Sequence, residues 1–315
     1  MKHFTSIQDV DDIGSLLSLA LELKKNPFGH QQEGRNKTLG LFFFNPSLRT
    51  RLSTQKAAQN LGMHVIVMNL NTEGWAIEFE DGTVMNDKTQ EHIKEAAGVL
   101  SQYCDIIGVR TFPALLDRDD DYNETILKRF IQHATVPVLS LESATLHPLQ
   151  SFADLLTIEE HKQKYRPKVV LTWAPHPRTL PQAVPNSFAQ WMLRADVELI
   201  ITNPEGFNLS SEFISGAQAI HDQDTALAGA DFVYAKNWSS FENYGSIGKG
   251  LDDWMITPVK MQLTNEGKFM HCLPVRRNVV VSDAVLDSES SLVLQQANNR
   301  TYAAQAVLLK MLRDG

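Results

Sequence analysis

The sequence predicts an α/β fold of two doubly wound parallel-sheet domains, on three observations. Short apolar runs alternate with longer amphipathic stretches along the whole chain. That alternation restarts once, near residue 149. The length of 315 residues suits about two domains at ~100–200 residues each. Strands that alternate with helices build a mostly parallel sheet covered by helices on both faces.

In chain order, Val10, Ile13, Leu16, Leu17, Ala20 and Leu21 recur at helical spacing and open the chain with a helix. Residues 38–44 form a short apolar run, read as a buried strand, and 48–61 read as a helix. A second strand covers 64–70. Residues 93–103 look helical and 106–110 strand-like. Ile126, Leu127, Phe130 and Ile131 place a helix over 122–133, and 136–141 is the fourth strand. The pattern then begins again with a helix at 149–161, a strand at 168–173, a helix at 188–193 and a strand at 197–202. Further strands are expected at 232–235 and 269–272. Ala303, Ala306, Val307 and Met311 give a closing helix over 298–312.

Hydrophobic residues are 43% and charged residues 21%, which sets aside disordered, collagen-like and coiled-coil classes. The net charge of -8 disfavours a broadly basic nucleic-acid binder. It does not disfavour an anionic small ligand, because local cations can outweigh the total at one site. Only Cys104 and Cys272 are present, too few for a disulfide scaffold and suggestive of a reducing compartment. No run approaches the ~20 apolar residues of a membrane helix. A soluble, cytoplasmic protein that binds neither nucleic acid nor membrane is expected.

In parallel α/β sheets, ligands bind outside the carboxyl ends of the strands, so the segments that follow strands are where chemistry is sought. Asn45-Pro46-Ser47-Leu48-Arg49-Thr50-Arg51 lies between a strand and a helix. It reads either as a capped helix with surface arginines or as an anion cradle. In the cradle, backbone N–H groups and the helix dipole face a phosphate that the arginines grip. It is not a P-loop, because the glycines and the Gly-Lys-Ser/Thr ending are missing. Arg110 ends its strand, either as a surface salt-bridge partner or as a ligand-facing cation. His147-Pro148-Leu149-Gln150 opens the helix between the halves, either capping it or offering a donor to a carbonyl oxygen and an amide to an NH2 group. No second ligand stands at helical spacing from His147 and Cys-x-x-Cys is absent, so no metal is expected. His271-Cys272-Leu273-Pro274-Val275-Arg276-Arg277 follows a late strand, and its Leu273-Pro274 bond is a candidate cis peptide. In Trp173-Ala174-Pro175-His176-Pro177-Arg178-Thr179-Leu180-Pro181, proline density predicts a stiff loop, a plain linker or a rigid mount for His176 and Arg178.

Together these motifs resemble the aspartate/ornithine carbamoyltransferase family. Ser47-Leu48-Arg49-Thr50-Arg51 is similar to its Ser-x-Arg-Thr-Arg loop, His147-Pro148-Leu149-Gln150 to its His-Pro-x-Gln motif, and His271-Cys272-Leu273-Pro274 to the His-Cys-Leu-Pro motif of its ornithine branch. The Ser-Met-Gly of ordinary ornithine enzymes is missing, and the region reads Tyr234-Ala235-Lys236-Asn237-Trp238. This departure, the proline-rich loop and Trp75 resemble the N-acylornithine branch, and the wording around Arg49 looks nearest to its N-succinylornithine enzymes.

The resemblance implies a carbamoyl-phosphate-binding domain at 1–147, with a closing helix 298–315 packed back on it, and an acylornithine-binding domain at 148–297. It also implies an active site between them, a knotted second domain and a homotrimer. Ser47, Leu48, Arg49 and Thr50 would hold the phosphate of carbamoyl phosphate, and Trp75 would reach the site from a neighbouring subunit. Arg110, His147 and Gln150 would bind the carbamoyl group. Glu142, His176 and Lys236 would contact the acylated amino acid. Cys272 and Leu273 would line the point of attack, and Arg276 and Arg300 would complete the anion contacts. The implied reaction carries carbamoyl from carbamoyl phosphate to an N-acyl-L-ornithine in arginine biosynthesis, with no metal or organic cofactor. The family's acetyl branch has an acid, and its succinyl branch a proline, where this chain has Gln90. Lys236, Arg178, Arg276 and Arg277 favour a succinyl carboxylate, with acetyl as the alternative. A non-catalytic phosphate-binding protein on the same fold and a transferase for another amine are the rival readings.

Overall fold

The structure, a computed structural model, describes residues 1–314. Two compact units make up the chain. The first comprises Met1–Pro113, Asp119–Leu149 and residues 300–314; the second comprises Ala114–Arg118 and Gln150–Asn299.

The strands preceding residue 147 are β1 (Thr38–Phe43), β2 (His64–Asn69), the short pair β3 (Ile77–Glu78) and β4 (Glu91–His92), β5 (Ile106–Arg110) and β6 (Val138–Glu142). Its helices are α1 (Ile13–Lys25), α2 (Arg49–Asn60), α3 (Leu70–Glu73), α4 (Ile93–Tyr103), α5 (Arg118–Tyr122) and α6 (Thr125–His133). The main sheet has the order β2-β1-β5-β6, and every pairing is parallel. Strands β5 and β6 are buried along their whole length, which is why they read as continuous apolar runs. Phe42, Ile93, Ala97, Ile107, Val109 and Phe130 join strands to helices in one core. Gly40 is required in β1, since a Cβ there would meet Cys104 Sγ at 2.6 Å. Helix α2 ends in a Schellman turn: Met63 N–H donates to Ala58 O (3.0 Å) and Gly62 N–H to Gln59 O (3.0 Å), with Gly62 at φ 83°.

Helix α7 (Pro148–His161) carries the chain onward. The second unit contains β7 (Lys168–Trp173), β8 (Glu198–Thr202), β9 (Gln218–Ile220), β10 (Phe232–Lys236) and β11 (Lys268–Met270), with helices α8 (Ala183–Leu193), α9 (Ser211–Ile214), α10 (Gln223–Leu227), α11 (Pro258–Met261) and α12 (Asp283–Leu286). The sheet order is β11-β10-β7-β8-β9, again all parallel. Its core joins Val170, Ile200, Val233, Phe269 and Val285. Helix α13 (Val293–Asp314) closes the chain. Strand order reverses between β1 and β5 in one sheet and between β7 and β10 in the other, the topological switch points where α/β sheets bind ligands.

The α/β alternation and both parallel sheets are as the sequence predicts, with local corrections. The helix expected from 122 begins at Thr125, as α6, because Glu124 takes a left-handed φ of 51° and separates it from α5, which ends at Tyr122. The strand expected to reach 272 stops at Met270, where the next N–H, of His271, turns to Gln296 Oε1 at 3.0 Å. Helix α8 begins five residues before the expected 188; Pro185 lies in its first turn, where a missing N–H leaves no broken bond. Strands β3, β4 and β9 have two or three residues, too few to show a period.

Candidate active site

In the first unit, the predicted residues follow the carboxyl ends of β1, β5 and β6. Helix α2 starts at Arg49, directly after the β1 loop. The cap of the capped-helix reading is not made by Ser47: the N-cap is Leu48, in helical conformation, with no side-chain cap hydrogen bond at the first turn. No acidic residue lies in that turn either, so the positive end of the dipole is unopposed by the helix's own side chains. Thr50 is buried, and its Oγ1 accepts from Arg300 Nη2 at 2.7 Å. That bond draws α13 and the start of α2 together.

Arg110 ends β5 and is buried. Its Nη2 and Nε donate to Glu142 Oε2 at 2.6 and 3.1 Å. Its Nη1 donates to the carbonyls of Asn45 (3.1 Å) and Pro46 (2.9 Å). One guanidinium therefore fixes the β1 loop relative to the end of β6, a rigid bridge that lysine could not make. Glu142, expected from the resemblance to meet the amino acid, is the partner of Arg110.

His147 is 4% exposed. Its Nε2 stands 3.7 Å from Glu142 Oε2, beyond a hydrogen bond, and its Nδ1 has no partner. Burial first, then the positive charges of Arg300 and Arg110, hold its pKa well below the ordinary histidine value. The imidazole is neutral at pH 7, with one N–H to give to an oxygen. Trp75 stands apart in the β3–β4 region, 55% exposed, with its indole N–H donating to Glu91 at 2.6 Å.

The second unit gathers the remaining predicted residues behind β7, β10 and β11. Gln150, buried in α7, donates its amide to Asp154 Oδ1 at 2.7 Å. Gln296 donates to the same oxygen at 2.7 Å. Asp154 was not anticipated as a site residue, although its i+4 spacing from Gln150 was readable. Beside it lies the buried Tyr234 phenol, whose pKa burial pushes well above its ordinary value, with Asp154 and Cys272 adding in the same direction. Cys272 is half-buried and forms no disulfide, whereas Cys104 is buried and its pKa is pushed up to about 11, chiefly by burial. Of the two, only Cys272 has the access that chemistry needs. The Leu273-Pro274 bond is cis, and Leu273 has φ 53°.

Inside the proline-rich loop His176 Nδ1 stands 2.8 Å from Arg178 O and 3.1 Å from Arg178 N. Burial lowers its pKa, the backbone bond to Arg178 opposes this, and the charges of Lys236, Arg276 and Arg178 lower it further. Three cations thus share the surroundings of one neutral ring. Lys236 is buried at the end of β10 with Nζ on Asn237 O at 2.9 Å. Arg277 does not join them, because Asp283 and Asp287 hold it at 2.8 and 2.7 Å. No group of three or more metal-ligating side chains occurs among the described residues. No described helix is long and apolar enough to cross a membrane.

The same two-part layout appears in known proteins. Residues 2–160 match the family described as "Aspartate/ornithine carbamoyltransferase, carbamoyl-P binding domain". Residues 182–311 match "Aspartate/ornithine carbamoyltransferase, Asp/Orn binding domain". The chain is 53% identical over 316 residues to the N-succinylornithine carbamoyltransferase of Bacteroides fragilis (strain 638R), covering 100% of this chain and 99% of that one. It is 39% identical over 332 residues to the N-acetylornithine carbamoyltransferase of Xanthomonas axonopodis pv. citri (strain 306), covering 98% and 96%. Among solved structures, acetylornithine transcarbamylase complexed with acetylcitrulline superposes with a TM-score of 0.94 at 37% identity, over 99% of both chains. A mutant N-acetyl-L-ornithine transcarbamylase complexed with carbamyl phosphate and N-succinyl-L-norvaline gives 0.93 at 38%, over 99% of this chain and 100% of that one. The chain belongs to the aspartate/ornithine carbamoyltransferase family.

Proposed function

We propose that this protein transfers the carbamoyl group of carbamoyl phosphate to the δ-amine of N-succinyl-L-ornithine, giving N-succinyl-L-citrulline and phosphate, in arginine biosynthesis. The observation that carries the reading is His147, a buried neutral imidazole with an unpartnered ring nitrogen, in the field of Arg110 and Arg300. A buried polar atom without a partner calls for a function, and here a carbamoyl oxygen supplies the missing bond.

The neutral δ-amine adds to the carbamoyl carbon, the carbonyl oxygen gains negative charge, and the C–O bond to phosphate breaks as the ureido group forms. The nitrogen loses one proton, which leaves with the phosphate as its conjugate acid. Fixed donors help because they bind the developing oxyanion more strongly than the ground-state carbonyl. His147 and Arg110 are given that role. Gln150, held by Asp154, orients the carbamoyl NH2. Arg49, Thr50, the α2 amino end and Arg300 take the phosphate, with Ser47 and Leu48 contributing from the loop. Glu142, His176, Lys236, Cys272, Leu273 and Arg276 take the acylated amino acid. Much of the rate comes from holding the two substrates together.

The cations around His176 suit a ligand with more than one carboxylate, which favours succinyl. The 53% and 39% identities to the named succinyl and acetyl enzymes favour it also. We include in the proposal a homotrimer in the cytoplasm, a threaded second unit, and Trp75 acting on a neighbouring subunit's site. The test is competition between N-succinyl- and N-acetyl-L-ornithine at limiting carbamoyl phosphate, with plain ornithine as a third arm. Succinylcitrulline should dominate. Turnover of plain ornithine alone would overturn the assignment, and acetylcitrulline as main product would replace the acceptor.

A further inference from the structure

Between Glu142 and His147 the chain makes a tight turn. Ser143 N–H donates to Leu146 O at 2.8 Å, and Leu146 N–H donates to Ser143 Oγ at 3.1 Å. This turn sets how the imidazole approaches the carboxylate of Glu142, 3.7 Å away. It is held from outside by a residue distant in sequence. Glu124 Oε1 accepts from Ser143 Oγ (2.6 Å), Thr145 N–H (2.7 Å) and Thr145 Oγ1 (2.5 Å), and Oε2 accepts from Ala144 N–H (3.3 Å). One carboxylate thus receives four hydrogen bonds from three consecutive residues.

The backbone of Glu124 is itself unusual. It sits at φ 51° and ψ 35°, left-handed, at the N-cap of α6, and its side chain does not cap that helix. A non-glycine residue in this region carries strain of ~1–3 kcal/mol, and it persists where the surroundings require it. Here the left-handed turn directs the carboxylate away from its own helix and onto the 143–146 turn.

We infer that Glu124 is a positioning residue for the reaction: it locks the 143–146 turn and thereby aims His147. The inference rests on the transferase reading above. It assigns no contact with substrate to Glu124, which acts through the turn. Bonds to an ionised acceptor are about twice as strong as neutral ones, so the charge and the length of the side chain both matter.

The variants Glu124→Gln and Glu124→Asp test this in the full chain. Gln keeps the length but turns an NH2 toward a cluster of donors; Asp keeps the charge but withdraws it by a methylene. Both should fold, with melting temperatures within a few degrees of wild type. Both should lower kcat with N-succinyl-L-ornithine by about tenfold or more, leaving KM for carbamoyl phosphate within about threefold. In amide hydrogen exchange, Ala144 and Thr145 should lose protection, and the ring 15N signals of His147 should shift. A folded Gln variant with wild-type kcat overturns the inference, and so does loss of stability with kcat retained in the folded fraction. If wild type itself proves inactive, the transferase reading falls alone, while exchange and the histidine signals still decide whether Glu124 holds the turn.

Discussion

Arg49 begins α2, and Thr50 beside it is bonded to Arg300. Replacing Arg49 by alanine removes a charged donor and little packing. A hydrogen bond to a charged group is worth ~1.5–3 kcal/mol, so KM for carbamoyl phosphate should rise by about 10–100-fold with the melting temperature unchanged. Steady-state kinetics checks this, and unchanged affinity would remove Arg49 from the phosphate site. His147 makes a prediction in pH. Its folded pKa is depressed, so the unfolded chain binds a proton that the folded chain refuses. Stability is whole above the unfolded value of ~6.5 and is lost as pH falls from there toward the folded pKa. His147→Gln should therefore lose less stability than wild type between pH 7.5 and 5.5 in paired thermal melts. Equal losses would show that the ring protonates freely. The depressed pKa was not legible in sequence: His147 and Arg300 are 153 positions apart, and only the fold puts one in the other's field.

At the scale of elements, α2 and α13 are joined by a buried bond from Asn60 Nδ2 to Gln305 Oε1 at 3.0 Å, and Gln305 Nε2 donates to Pro27 O at 2.7 Å. Gln305→Leu leaves the buried Asn60 donor unsatisfied. The cost should be ~1–3 kcal/mol, read as a lower urea midpoint with an unchanged slope; a midpoint equal to wild type would mean that water replaces the bond. Most strands were readable because a buried parallel strand is an uninterrupted apolar run, as at Lys168–Trp173. The break at Glu124 was not, because the hydrophobic set Ile126, Leu127, Phe130 and Ile131 is indifferent to what happens one turn earlier. The same residue escaped notice as a site component, since a lone glutamate between two helices carries no local signal. Motifs that follow strands were legible as places for chemistry. Of the partners that fix them, Asp154 stands four residues after Gln150 on one helix, whereas Glu142 on Arg110 required the register of β5 and β6 to find.

For the whole molecule, a net charge of -8 coexists with cations drawn from distant parts of the chain: Arg49, Arg110 and Arg300 in one unit, Lys236 and Arg276 in the other. Trp75, with the exposed Leu48, Leu52 and Val84 in the same unit, supplies apolar surface for the proposed trimer. If Trp75 serves a neighbouring subunit's site, mixing the two weakened variants, Trp75→Ala and Arg49→Ala, under conditions that exchange subunits should raise turnover at low carbamoyl phosphate above that of either alone. No recovery in demonstrably mixed oligomers would confine Trp75 to its own subunit.

The division of the chain sets an order of assembly. The first unit consists of the chain's opening residues together with residues 300–314, and it is from this last portion that Arg300 reaches Thr50 and Gln305 reaches Asn60. During synthesis from the amino end, the sheet of the first unit emerges early but lacks these partners until residues 300–305 are made. The second unit, being almost continuous in sequence, can complete itself before then. The anion-binding unit is therefore begun before the second unit and completed after it, and a chain cut before residue 300 would be missing Arg300.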